Sequence, residues 1–297
     1  MRVLTSPKAL TTGTVALFAA ASARAQVTVE GLDSIGKPEP SGTGFQAQAT
    51  SLMRDVVWLD TFLLVIITII SLFVLALLAI VIVRYNERSN PKPAGFTHNT
   101  PLEVAWTVVP IIILVVIAVA SLPILIKQQE IPEGDVTIKV TGYQWYWGYE
   151  YVDAGVEGVE PASIVFDSFM LDKEDLEEFG YAPDEYLLAT DQPVVIPTGK
   201  TIVMQVTAAD VIHSWTIPAF GVKQDGVPGR LAELWFEVDP GMEGIYFGQC
   251  SELCGKDHAY MPITVKAVTQ EEYDDWVGRA YEEFAGETLP FNVATAE

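Results

Sequence analysis

Two long apolar stretches interrupt an otherwise mixed chain. Residues 62–83 run for 22 positions without a charge, and residues 104–126 run for 23. At about 1.5 Å of rise per residue, either one can cross a hydrocarbon core of about 30 Å. Trp58 and Trp106 stand near their ends, where amphipathic rings favour the interface. The connection, residues 84–92, carries Arg84, Arg88 and Lys92 against a single anion, Glu87. By the positive-inside rule it faces the cytoplasm, so the segments before and after the hairpin face outward. The pattern thus predicts a two-helix transmembrane hairpin within residues 58–127, with spans at about 60–83 and 104–126. Pro110 and Pro123 fall inside the second span, which a membrane helix tolerates. Asn99, Thr100, Pro101 and Glu103 read as a capping box with proline at the first helical position.

After Ile131 the period changes. Short runs rich in β-branched and aromatic residues lie at 136–141, 144–151, 186–190, 194–196, 201–207, 211–217, 231–238, 245–248 and 263–268. Gly, Pro and Asp separate them, as in Asp225-Gly226-Val227-Pro228-Gly229. Many short strands at this spacing predict an all-β sandwich or barrel over residues 131–268. Two helices break the pattern. Residues 171–179 form an acidic, solvent-facing excursion. Thr269 to Glu272 is a capping box opening a helix with Tyr273, Trp276, Val277, Ala280, Tyr281 and Phe284 on one stripe, within a terminal part of residues 269–297.

The first 25 residues read as an export signal. Arg2 and Lys8 are followed by an apolar run over 13–21 and by Ala23-Arg24-Ala25, which would leave Gln26 first and an outward segment over 26–57. Composition sharpens the division. Half of the residues are hydrophobic although the net charge is −22, which requires the apolar residues to be segregated. From residue 131 onward there are 8 Lys and Arg against 31 Asp and Glu, a net of −23. Such a surface repels nucleic acid and attracts a basic protein partner.

The chain has two cysteines and three histidines. Four of these five carry the chemical signal. Cys250-Ser251-Glu252-Leu253-Cys254-Gly255-Lys256-Asp257-His258-Ala259-Tyr260-Met261 gathers two thiols, an imidazole and a thioether, and His213 lies upstream in an apolar run. Thiolate, imidazole and thioether form a soft set that suits copper, and two thiolates can bridge two metal ions. Three other readings stand beside it. Cys250 and Cys254 could form a disulfide, the usual guess for an exported pair. Two Cys and two His could hold structural zinc. His213 could be a satisfied buried histidine. The disulfide leaves His213, His258 and Met261 unexplained, and zinc leaves Met261 without a role, so copper is preferred.

These residues resemble the copper loop of subunit II of bacterial haem-copper cytochrome c oxidases. Gln144-Trp145-Tyr146-Trp147, Asp210-Val211-Ile212-His213-Ser214-Trp215 and Pro228-Gly229-Arg230 accompany it in order, and the likeness extends from the first span to about Val268. It implies a cupredoxin-like Greek-key domain holding CuA, a pair of copper ions. Cys250 and Cys254 would bridge the coppers, His213 and His258 would cap them, and Met261 and the Glu252 carbonyl would be weak axial ligands. The Glu252 carboxylate would reach a magnesium ion shared with subunit I. Electrons would enter from cytochrome c through Trp145 and leave on the His258 side, toward haem in subunit I, where oxygen is reduced to water with proton pumping. Glu150, Asp153, Glu157, Asp191 and Asp210 would form the docking patch. Glu103, near His98, would stand at a proton-pathway entrance. The implied setting is the bacterial inner membrane, with lipid, a haem-bearing subunit I and further oxidase subunits as partners and the carboxyl domain in the periplasm. The pattern departs at Tyr143, where relatives often carry histidine.

Rival classes remain at this stage. A quinol oxidase subunit shares the hairpin but lacks copper ligands. Nitrous oxide reductase has the loop but is soluble and larger. A tethered copper store or metallochaperone would need an exposed, exchangeable site, and a purely structural exported domain would hold one disulfide.

Overall fold

The computed structural model describes residues 28–285; the expected signal segment and the end of the terminal tail lie outside them. Two long helices form the hairpin, α1 (Ser51–Arg84) and α2 (Thr100–Gln129). Both are long and apolar enough to cross a membrane. At 34 residues, α1 is about 50 Å long, more than a bilayer core needs. The excess is its amino-terminal part, already helical within the segment expected to precede the hairpin, where Leu52 and Met53 are buried against the β domain. Thr50 caps α1 by accepting the Met53 N–H at 3.0 Å and donates its own hydroxyl to the Phe220 carbonyl at 2.7 Å. Asn99 caps α2 by accepting the Leu102 N–H, and Glu103 accepts the Asn99 N–H. Pro101 occupies the second helical position, not the first.

The β domain is two facing sheets and a two-stranded hairpin that packs against both. One sheet has the order β4-β3-β2-β6-β9: β2 (Val136–Tyr143), β3 (Tyr146–Asp153), β4 (Ile164–Ser168), β6 (Ile202–Ala208) and β9 (Ala232–Phe236). The other runs β1-β10-β11-β5: β1 (Ser34–Gly36), β5 (Val194–Pro197), β10 (Gly244–Gln249) and β11 (Pro262–Val268). β7 (His213–Ile217) and β8 (Val222–Gly226) pair with each other. Strand alternation places Ile138, Val140, Trp147, Tyr149 and Tyr151 in the core between the sheets. α3 (Gln270–Ala285) packs Tyr273, Trp276, Val277 and Ala280 on the same core. The Thr269–Glu272 capping box forms as expected.

Two expectations fail. Residues 186–190 are not a strand. They turn, with Leu187 at φ 74°, and only Thr190 bridges to Met170. Residues 171–179 are turns and not a helix. Asp172, Glu174, Asp175, Glu177 and Glu178 would repel at helical spacing, and so short a helix needs tertiary support. The segment instead buries Leu171 and Leu176 with Val29 and Phe247. Three strands were not anticipated: β1, β4 and β8.

Candidate metal centre

Hairpin register builds the centre. β10 and β11 pair antiparallel, with Gln249 opposite Pro262 as the last pair. Residues 250–261 are therefore the loop closing that hairpin. His213, the first residue of β7, reaches the loop because β7 and β10 approach unusually closely. A Cβ on Gly248 would stand 2.0 Å from the Thr216 carbonyl, so only glycine allows the approach. The Ser251 N–H donates to the Ser214 carbonyl at 3.0 Å and locks the loop to β7.

Cys250, Cys254, His213 and Met261 are buried. Cys250 Sγ and Cys254 Sγ are 3.9 Å apart, far beyond a disulfide bond of about 2.05 Å, and both thiols are free. His213 Nδ1 lies 3.9 Å from Cys250 Sγ, and His258 Nδ1 lies 3.5 Å from Cys254 Sγ. Met261 Sδ is 3.4 Å from Cys254 Sγ, and the Glu252 carbonyl oxygen is 3.2 Å from Cys250 Sγ. The ligand atoms of His213, Cys250 and Cys254 fall within 4.8 Å of one another. Each sulfur thus has one imidazole and one weak donor within 4 Å. The donors fit a pair of soft ions.

Electrostatics agree. Burial pushes both thiols up. At Cys250, hydrogen bonding to His213 and to the backbone around Glu252 and Ser214 outweighs burial and holds the thiol down at about 7. Cys254 is pushed up to about 12 by burial and then by the charge of Cys250. Without a cation, two thiolates this close cannot both ionise cheaply.

Around the centre, Trp147 is wholly buried, donates its indole N–H to the Met261 carbonyl at 3.2 Å and meets His213 edge-on at 5.8 Å. Trp145 is the partly exposed indole of the pair. It lies against Gly255, Lys256 Nζ sits 5.3 Å from its ring centroid, and its Nε1 has no hydrogen-bond partner among the described residues. Glu252 and its carboxylate are exposed. Glu103 lies at the far end of the hairpin, at the start of α2.

The five docking candidates do not converge. Asp210 and Asp191 lie at the Trp145 end: Asp210 accepts the Gln144 N–H, and Asp191 accepts the Phe169 N–H. Glu150 is half-way along β3 and paired with Lys139 at 2.8 Å. Asp153 ends β3, seven residues or about 23 Å from Tyr146, and Glu157 lies beyond it. Sequence reasoning missed Asp167, an exposed acid on β4 whose Oδ1 packs over Gly148 beside Tyr143. It also missed the stack of Tyr143, Tyr146 and Phe169, with centroids 4.7 Å and 4.6 Å apart. The signal was the alternation of Ile164, Phe166 and Ser168, buried, with Val165 and Asp167, exposed.

Comparison with known proteins places these features. The family model described as cytochrome C oxidase subunit II, periplasmic domain, matches residues 136–268, and that described as its transmembrane domain matches residues 38–124. Cytochrome c oxidase subunit 2 of Cereibacter sphaeroides is 53% identical over 294 residues, covering 94% of this chain and 93% of the relative. That of Zea mays is 42% identical over 240 residues, covering 80% and 89%. A crystal structure of the periplasmic domain of subunit II of cytochrome oxidase from Bradyrhizobium japonicum is 46% identical, covers 52% of this chain and 99% of that one, and superposes with a TM-score of 0.44.

Proposed function

The chain belongs to the cytochrome c oxidase subunit II family, and on that premise we propose that it is the electron-entry subunit of its oxidase, carrying CuA. One observation carries the reading: two unbridged thiols at 3.9 Å, each beside one imidazole and one weak donor, buried at the tip of a β hairpin. Cys250 and Cys254 would bridge two coppers, His213 and His258 would cap them, and Met261 and the Glu252 carbonyl would complete the set. Copper shared between two thiolates supplies one-electron chemistry. The chain's own part is to hold every donor in a dry, prefolded frame, so that little rearranges when charge changes.

Trp145 receives the electron from a cytochrome c. Its support is position: it is the partly exposed indole, packed on Gly255 of the ligand loop, and Gln144 donates from Nε2 to the Cys254 carbonyl at 2.7 Å. The electron leaves on the His258 side toward haem in subunit I, where oxygen is reduced and protons are pumped. The exposed Glu252 carboxylate is a hard ligand and suits the shared magnesium. Glu103 is proposed at the proton entrance, although its capping bond to Asn99 explains its place equally well. The basic connection between the helices sets the periplasmic orientation in the bacterial inner membrane, with lipid and partner subunits covering the apolar helix faces.

The test is the copper-to-protein ratio and the electron paramagnetic resonance spectrum of the purified oxidase. Two coppers sharing one unpaired electron, lost in Cys254→Ser, are expected. A single-copper signal, zinc or a disulfide would overturn the reading. Copper that exchanges rapidly with a chelator would favour a store or chaperone, which burial of the sulfurs argues against.

A further inference from the structure

Asp210 belongs to the docking candidates, yet its carboxylate is already occupied from three sides. Oδ1 accepts the Val211 N–H at 2.6 Å and faces His213 Nε2 at 2.9 Å, while Oδ2 accepts the Gln144 N–H at 2.7 Å. The other ring nitrogen of His213 points to Cys250. Gln144 directly precedes Trp145 and bonds the Cys254 carbonyl. One carboxylate therefore touches the ring of one copper ligand and the turn that carries the entry indole. His258 has no comparable partner among the described residues.

We propose that Asp210 is a positioning residue of the copper centre: it keeps the proton of His213 on Nε2, leaves Nδ1 free for copper, and fixes the Trp145 turn to the ligand loop. This rests on the copper reading above. An imidazole that donates its outer N–H to a carboxylate is fixed in tautomer and orientation and is a stronger donor to metal. A stronger donor favours the oxidised centre, so Asp210 lowers its reduction potential. A docking acid behaves differently. It acts through a field that salt screens, and it changes encounter with the partner. A positioning acid acts on the centre at any ionic strength.

The discriminating variants are Asp210→Asn and Asp210→Glu in the assembled, purified oxidase. Asn removes the charge and keeps the shape. It should raise the midpoint potential of the copper centre, alter its hyperfine pattern and lower kcat by about 10-fold or more, at low and high salt alike. Glu keeps the charge and displaces the carboxylate by one methylene. It should alter the spectrum while the salt dependence of KM stays as in the wild type. Loss of copper from an assembled Asp210→Asn enzyme is the extreme of the same result. An unchanged spectrum and potential in both variants, with a KM effect in Asp210→Asn that disappears at high salt, would overturn the proposal and leave Asp210 a docking acid. Absence of the two-copper signal from the wild type would instead overturn the copper reading beneath it.

Discussion

A Cβ on Gly142 would lie 2.8 Å from the His213 ring, so glycine there is a condition of the ligand's position. Nothing in the local sequence announces that, because the two residues lie on strands 71 positions apart. The donors of the ligand loop are legible because they sit within twelve residues, and their types name their chemistry. Gln144, Asp210 and Gly142 shape the site only once β2, β7 and the loop are folded together. Trp145 permits a clean test for a related reason. Its Nε1 has no partner to lose among the described residues, so Trp145→Phe should cost less than about 1.5 kcal/mol in stability and keep its copper. Cytochrome c oxidation should nevertheless collapse; wild-type turnover would remove Trp145 from the path. The thiols give a pH prediction. Copper needs both as thiolates, so acid opposes loading. Cys254, pushed up to about 12, yields its proton on binding throughout the neutral range, whereas Cys250, at about 7, is already ionised above that pH. Copper affinity of the metal-free protein should therefore fall with acidification, by about one proton per site above pH 7 and by two or more below it, where Cys250 and also the His213 imidazole, whose pKa is raised despite burial by its hydrogen bonds to Cys250 and Asp210, must lose a proton. Calorimetry in buffers of differing ionisation enthalpy counts those protons.

The helices were readable from period and caps, because a span must be apolar all round and a cap is a local hydrogen bond. The short strands were harder. β4 follows an irregular loop, β8 follows a short 3-10 turn at Pro218–Phe220, and β1 has three residues whose place is fixed by pairing with β10 rather than by their own propensity. The segment at 186–190 has strand-like composition but is drawn into the small core around Tyr181 and Phe247, and tertiary packing decides against propensity. α3 was readable in full. Its stripe meets the core, and the Tyr273 hydroxyl donates to the Ala154 carbonyl at 2.9 Å. Because α3 contacts β4 and β5, away from the ligand loop, its stability is separable from the centre. Thr269→Ala should lower the unfolding free energy by about 1 kcal/mol through loss of the cap, with copper content and spectrum unchanged. Thermal unfolding beside a metal assay checks both halves; altered copper would show that the helix acts on the site.

As a whole the molecule is a neutral anchor bearing an acidic head, and the two are bolted together at the outer end of the hairpin. Trp235 donates to the Lys127 carbonyl at 3.1 Å, Lys127 pairs with Asp55 at 2.6 Å, and Arg54 pairs with Asp239. The Trp145 edge is remote from that junction, since Trp235 pairs through Val203 with Thr137 at the start of β2, whereas Trp145 follows its end. On the proposed function, a basic donor attracted by the net field would be sorted by local charge. Exposed Asp167 lies beside the Tyr143, Tyr146 and Phe169 stack at that edge, whereas Glu157 lies past the other end of β3. At an ionic strength of 0.1 M a charge is felt over about 10 Å, so distance along the strand decides which acid matters. KM for a basic cytochrome c should rise with salt while kcat changes little. At moderate salt Asp167→Asn should raise KM severalfold, and Glu157→Gln should leave it within about twofold. Glu150→Gln should fall between them, because Lys139 already neutralises that carboxylate. Steady-state kinetics over a salt series measures the order. The reverse order would move the docking footprint toward the membrane and detach it from Trp145, and a salt-independent KM would mean that the charge of the head serves something other than the donor.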